Sequence, residues 1–145
     1  MRFMLMIKAN DASERGEMPS AAAMIEMSKF NQQLIDAGVL LAGDGLQPSS
    51  KGARVYLSGE KRKVVDGPFP EPKELIGGFW MLQVKSKEEA VEWARRCPNP
   101  QGAGEAQIEV RQMFDAADFA PILADSAEGR AVLKQEKEFR QRAGG

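Results

Sequence analysis

The stretch "DGPFPEPKELIGGF", Asp66 to Phe79, sets Asp66, Glu71, Lys73 and Glu74 among three prolines and three glycines. The chain has no histidine, so neither a Ser-His-Asp nor a Cys-His nucleophile system can be assembled. Zinc, copper and non-haem iron sites normally recruit imidazole, and no spaced-Asp calcium loop is present, so no metal and no cofactor is expected. Acid-base work must fall to carboxylates, lysines, the lone Tyr56 or the lone Cys97. Pro68, Pro70 and Pro72 fix their own φ and push Gly67, Phe69 and Glu71 toward extended backbone, which predicts an ordered loop. Long ordered loops without regular structure are often functional. Asp66–Gly67 is also a standard turn signal whose carboxylate can bond nearby amides, so the segment reads both as a corner and as the best site candidate.

Bulk properties limit what such a site can serve. At 145 residues the chain fits one domain, a size at which roughly 68–70% of the unfolded surface is buried. Twenty basic against twenty-one acidic side chains leave a net charge of -1, and no basic run exceeds "KRK" at Lys61–Lys63, which argues against nucleic acid as a partner. One cysteine allows no intrachain disulfide, and the apolar run in "MRFMLMIK" is too short for a signal peptide or a membrane span. A soluble, cytoplasmic protein is expected.

The elements that would position the loop follow from periodicity. "RFMLMIK" (Arg2–Lys8) is apolar throughout Phe3–Ile7 and reads as a central strand buried on both faces. Ser20 reads as the N-cap of a helix whose Ala23, Met27, Phe30, Leu34 and Ala37 recur at three- and four-residue spacing, with Gly38 at the left-handed C-terminal cap. "VLLAG" (Val39–Gly43) is a second strand, and "ARVYL" and "KRKVV" flank Ser58–Gly59–Glu60 as a hairpin. "GFWMLQV" (Gly78–Val84) is again apolar on both alternating sets. Ser86 and Glu89 form a capping box for a helix with inward Ala90, Trp93, Ala94 and Cys97, ended by Pro98. "EAQIEVRQMF" (Glu105–Phe114) alternates Ile108 and Val110 with Glu109 and Arg111, as suits an edge strand.

Without the hairpin, the order is β-α-β followed by β-α-β, the ferredoxin-like βαββαβ arrangement of an α+β fold. Right-handed crossovers put both helices on one side of the sheet. The other side stays uncovered and apolar, which is unusual on a soluble monomer. A homodimer is therefore expected, two sheets meeting face to face as a dimeric α+β barrel. Residues 1–115 make this domain and 116–145 a C-terminal helical extension, with a helix from about Ala127 to Arg142 that is marginal alone.

The spaced combination "AGDGLQPS" (Ala42–Ser49), "DGPFPEPKE" (Asp66–Glu74), "IGGFW" (Ile76–Trp80), "WARRCP" (Trp93–Pro98) and "IEVRQM" (Ile108–Met113) resembles the DGPF branch of the YCII-related proteins. The resemblance runs over about Met1–Asp115 and implies a ferredoxin-like dimeric α+β barrel. It departs at Asp44, where the family usually has glutamate, and at Pro72, where it has threonine. Some relatives resemble small-molecule enzymes that use a histidine-aspartate pair, and this chain has no histidine to match. Asp66 then leads as acid-base candidate, with Glu74 or Asp44 as second carboxylate and Lys73 or Arg111 as the anion-binding charge. The same resemblance implies, as an alternative, a binding module tied to an extracytoplasmic-function sigma-factor system.

Each candidate has a plainer role as well. Glu71, Lys73 and Glu74 suit a solvated surface, and Glu109 with Arg111 an exposed same-face pair worth under about 1 kcal/mol. Phe69, Trp80 and Tyr56 can line an apolar pocket for a small molecule, although aromatic residues at such positions are more often core or interface. Cys97 lies on a buried stripe, where a thiol is unreactive. A third class, a structural scaffold without ligand, stands beside the enzyme and the binding module.

Overall fold

The computed structural model describes residues 1–102 and 104–143. Four strands form one antiparallel sheet in the order β2 (Leu40–Gly45), β5 (Ile76–Gln83), β1 (Arg2–Lys8), β6 (Ile108–Gln112). The two segments apolar on both faces, β1 and β5, are the central strands, and β2 and β6 are the edges. A hairpin of β3 (Ala53–Tyr56) and β4 (Lys63–Asp66) makes its own two-stranded sheet. The arrangement is α+β, consistent with a ferredoxin-like fold.

Helix α2 (Ala21–Asp36) begins where Ser20 Oγ accepts the Ala23 N–H at 3.1 Å, and Gly38 at φ +70° turns the chain out of it. Its Phe30 and Leu34 press onto the sheet. Helix α3 (Lys87–Arg95) is capped by Ser86, whose Oγ accepts from Glu89 N–H. The Glu89 carboxylate reaches back one residue further than a capping box requires, accepting from Lys85 N–H at 2.9 Å. Between helices and sheet, Phe3, Leu5, Leu34 and Leu82 are wholly buried, each contributing about 1.5–3 kcal/mol of burial. Trp80 meets Phe30 edge to face at 5.7 Å and donates from Nε1 to Asn31 Oδ1 at 2.8 Å.

Two helices were not expected from periodicity. Helix α1 (Asp11–Glu14) is one turn held by a reciprocal box, Ser13 N–H to Asn10 Oδ1 and Asn10 N–H to Ser13 Oγ. Helix α4 (Ala116–Leu123) contains Pro121, a residue that speaks against a helix because it removes one main-chain bond. Helix α4 packs along α5 (Ala127–Ala143). Gly129 lies so close to the Leu123 carbonyl that a methyl group there would overlap it. The Phe114 carbonyl ties the hairpin of α4 and α5 to the domain. The Phe114 carbonyl accepts from Arg2 Nη2 at 2.8 Å and from Arg140 Nη1 at 2.6 Å.

Candidate functional site

The proline-rich corner is anchored from outside itself. Asp66 closes β4 opposite Ala53, and the Gly67 N–H donates to the Gly52 carbonyl at 3.0 Å. A methyl on Gly67 would overlap the Ser49 carbonyl oxygen, so only glycine lets the two strands of chain pass. Ser49 Oγ accepts the Phe69 N–H at 2.9 Å and donates to Glu14 Oε2, while Ser49 N–H donates to Glu14 Oε1 at 2.9 Å. Phe69 carries the Arg54 guanidinium over its ring at 4.0 Å, a cation–π contact. The peptide Gly67–Pro68 is cis.

The expectation of extended backbone fails at Glu71, which takes the left-handed conformation at φ 62°, ψ 68°. The reason is the turn that follows. Glu71 offers its carbonyl to Glu74 N–H at 3.0 Å and starts a single 3-10 turn, Pro72–Glu74. That turn brings the Glu71 and Glu74 carboxyls within hydrogen-bond reach, and the shared proton and mutual repulsion raise the Glu71 pKa. A cleft of about 320 Å³ beside it is lined by Leu46, Gln47, Ser49, Phe69, Glu74 and the chain entering β5. Phe69 and Glu74 are therefore brought together. Asp66 is exposed at the end of the hairpin and does not line the cleft.

A second arrangement lies on the sheet face opposite the helices. Residues directly paired across an antiparallel sheet point to the same side, so the register defines two rows. One is Asp44, Phe79, Met6, Glu109; the next is Ala42, Met81, Met4, Arg111. Four apolar side chains, Met4, Met6, Phe79 and Met81, fill the centre, each half-buried. Charges stand at the flanks. Asp44 is exposed on β2, and on the far side Glu109 sits between Lys8, at 3.8 Å, and Arg111, at 3.3 Å. No helix among the described residues covers this face in the way α2 and α3 cover the other.

The YCII-related domain family matches residues 1–114. The chain belongs to that family. An uncharacterised protein of Rhizobium meliloti (strain 1021) is 33% identical over 76 residues, 52% of this chain and 61% of that protein. The chain thus spans under two thirds of the relative's length. The YCII-related part ends at β6, and the α4–α5 hairpin lies beyond it.

Within this YCII-related domain the expected residues separate into groups. Asp44 and Arg111 share the uncovered face, Phe69 and Glu74 share the corner cleft, and Asp66 stands apart on the hairpin. Lys73 is almost fully exposed, 3.7 Å from Glu105. Trp80 lies in the core beneath α2, on the side of the sheet away from Phe79 and Met81. Its alternation with those neighbours in "GFWML" carried that signal, but not which set faced the helices. Sequence reading passed over Ser49, Glu14 and Lys8. Asn10 followed by Ser13 was the available sign of the turn that presents Glu14; nothing local marks Ser49, whose partners lie 20 and 35 residues away.

Cys97 borders a separate cleft of about 490 Å³ between α3 and β6, lined by Ile7, Val91, Ile108 and Val110 among others. Burial pushes its thiol up to about 11. Among the described residues no cluster of three or more His, Cys, Asp or Glu could hold a metal ion, and no helix is long and apolar enough to cross a membrane.

Proposed function

We propose that this YCII-related chain, of the DGPF branch by its Asp66–Phe69 "DGPF", binds a small molecule against the uncovered sheet face. A second copy of the chain encloses it, giving a face-to-face dimeric α+β barrel. The observation that supports this is the central stripe of Met4, Met6, Phe79 and Met81 with charged residues on both flanks. Thioethers and an aromatic ring make an adaptable apolar bed, and rim charges orient a ligand. An aromatic or aliphatic body with an anionic group fits that chemistry, the anion meeting Arg111.

Proton transfer on such a ligand falls to carboxylates. Of Asp66, Glu74 and Asp44, Asp44 alone stands on a strand of this face, as the general base that would take a proton from a ligand on Phe79 and Met6. Glu74 and Phe69 serve the adjoining corner cleft. Asp66 ends the hairpin that supports the corner, and Lys73 adds surface charge beside it.

The test joins sedimentation velocity at micromolar concentration with thermal shift against a panel of small aromatic and aliphatic carboxylates. A dimer whose melting temperature rises saturably with one compound class, and does so less in Arg111→Ala at concentrations where that variant is still dimeric, is expected. A dimer with no saturable shift overturns the ligand. A single subunit overturns the enclosure as well.

A further inference from the structure

We infer that the two copies stack with their two-fold axis running along the strands, so that Asp44 of each copy meets Arg111 of the other. This rests on the face-to-face dimer proposed above and adds its geometry. The carrying observation is that the two halves of the uncovered face have opposite sign. The β2–β5 half bears one charged strand residue, Asp44, whereas the β1–β6 half bears Arg2, Lys8 and Arg111 against Glu109. Three cations against one carboxylate leave that half positive.

Two sheets packed face to face lie about 10 Å apart, and a two-fold axis that keeps their strands aligned can run in two directions. An axis across the strands sets β2 over β2 and β6 over β6, so negative meets negative and positive meets positive. An axis along the strands sets β2 of one copy over β6 of the other, and unlike charges meet twice. The sheet itself offers only roughly 400 Å² of plan area per copy, about half of what a standard partner surface buries. Flank contacts therefore decide the orientation that the apolar centre leaves open.

Arg111 is the cation suited to cross the gap. Lys8 is only 22% exposed and lies 3.8 Å from Glu109 Oε1, so it neutralises that carboxylate where it stands. Arg111 is 71% exposed and touches Glu109 through one 3.3 Å contact. Asp44 takes one hydrogen bond among the described residues, from the Gly45 N–H to Oδ1 at 3.0 Å, which leaves Oδ2 for a guanidinium. Asp44 and Arg111 stand in adjacent rows, an offset of about 7 Å along the strand that the arginine stem spans. Each ligand site is then composite, with the base from one subunit and its neighbouring cation from the other.

Sedimentation velocity on charge reversals tests this, with wild type, Asp44→Arg, Arg111→Asp and the double variant compared at low and high salt. Each single reversal is expected to weaken the dimer about tenfold, more at low salt, and the double to restore it to within about threefold of wild type. A dimeric wild type whose single reversals change nothing, or whose double variant is no tighter than the singles, overturns the axis and leaves the dimer. A monomeric wild type overturns both. Unchanged circular dichroism and melting of the monomer fraction show that each variant folds.

Discussion

Ser49 Oγ accepts the Phe69 N–H at 2.9 Å across 20 residues of sequence, and the same hydroxyl donates to Glu14. One small side chain thus ties the first helical turn of the protein to its proline corner.

Removing that hydroxyl leaves the Phe69 N–H and the Glu14 carboxylate each short of a partner in a partly buried place. Ser49→Ala is expected to destabilise the fold by about 1–3 kcal/mol. Urea unfolding measures the change, and limited proteolysis should show new cleavage between Asp66 and Glu74. An unaltered midpoint and cleavage pattern would show that the corner holds without this link.

Gly67 has no room for a methyl group against the Ser49 carbonyl. Gly67→Ala forces the two segments apart and is expected to cost about 2–4 kcal/mol, read as a lower melting temperature. Gly38→Ala supplies the contrast: open space surrounds that position and only its φ of +70° resists, a cost of about 1 kcal/mol.

Neighbouring strand residues on opposite faces should respond differently. Leu82 is fully buried under the helices, so Leu82→Ala is expected to lose about 2–5 kcal/mol of folding stability. Met81→Ala, on the uncovered face, should leave the isolated subunit within about 1 kcal/mol of wild type while loosening self-association. Denaturant melts at submicromolar concentration and sedimentation at higher concentration separate the two effects.

Cys97 tests burial through chemistry. With its pKa raised to about 11 by desolvation, iodoacetamide at pH 8 should alkylate the folded protein roughly a hundredfold more slowly than the urea-unfolded chain. The rate should climb with pH until about 11. Because the thiolate is disfavoured in the fold, this group's stabilising contribution is complete below the pKa of the free thiol and is lost as pH rises through the folded value. Equal rates for folded and unfolded protein would show an accessible thiol.

The elements of this protein were largely written in local pattern. Alternation in "RFMLMIK" and "GFWMLQV", the Ser20 and Ser86 caps, and Gly38 and Pro98 as stops all depend on neighbours within a turn or two, so the central strands, α2, α3 and the order of the fold could be read directly. What required the folded chain was every relation across long separations. Trp80 and Phe79 are adjacent and both aromatic, yet only the packing of Phe30 and Asn31 against the sheet places Trp80 in the core and Phe79 outside. Pro121 lies inside a helix that packs along α5, and Glu71 before a proline argued against the left-handed turn observed ahead of Pro72–Glu74. Sequence named Asp66, Glu74, Asp44, Lys73 and Arg111 as a single set because residue type is visible in it. Strand register divided them, because which side chains share a face depends on pairing energies summed over the whole sheet.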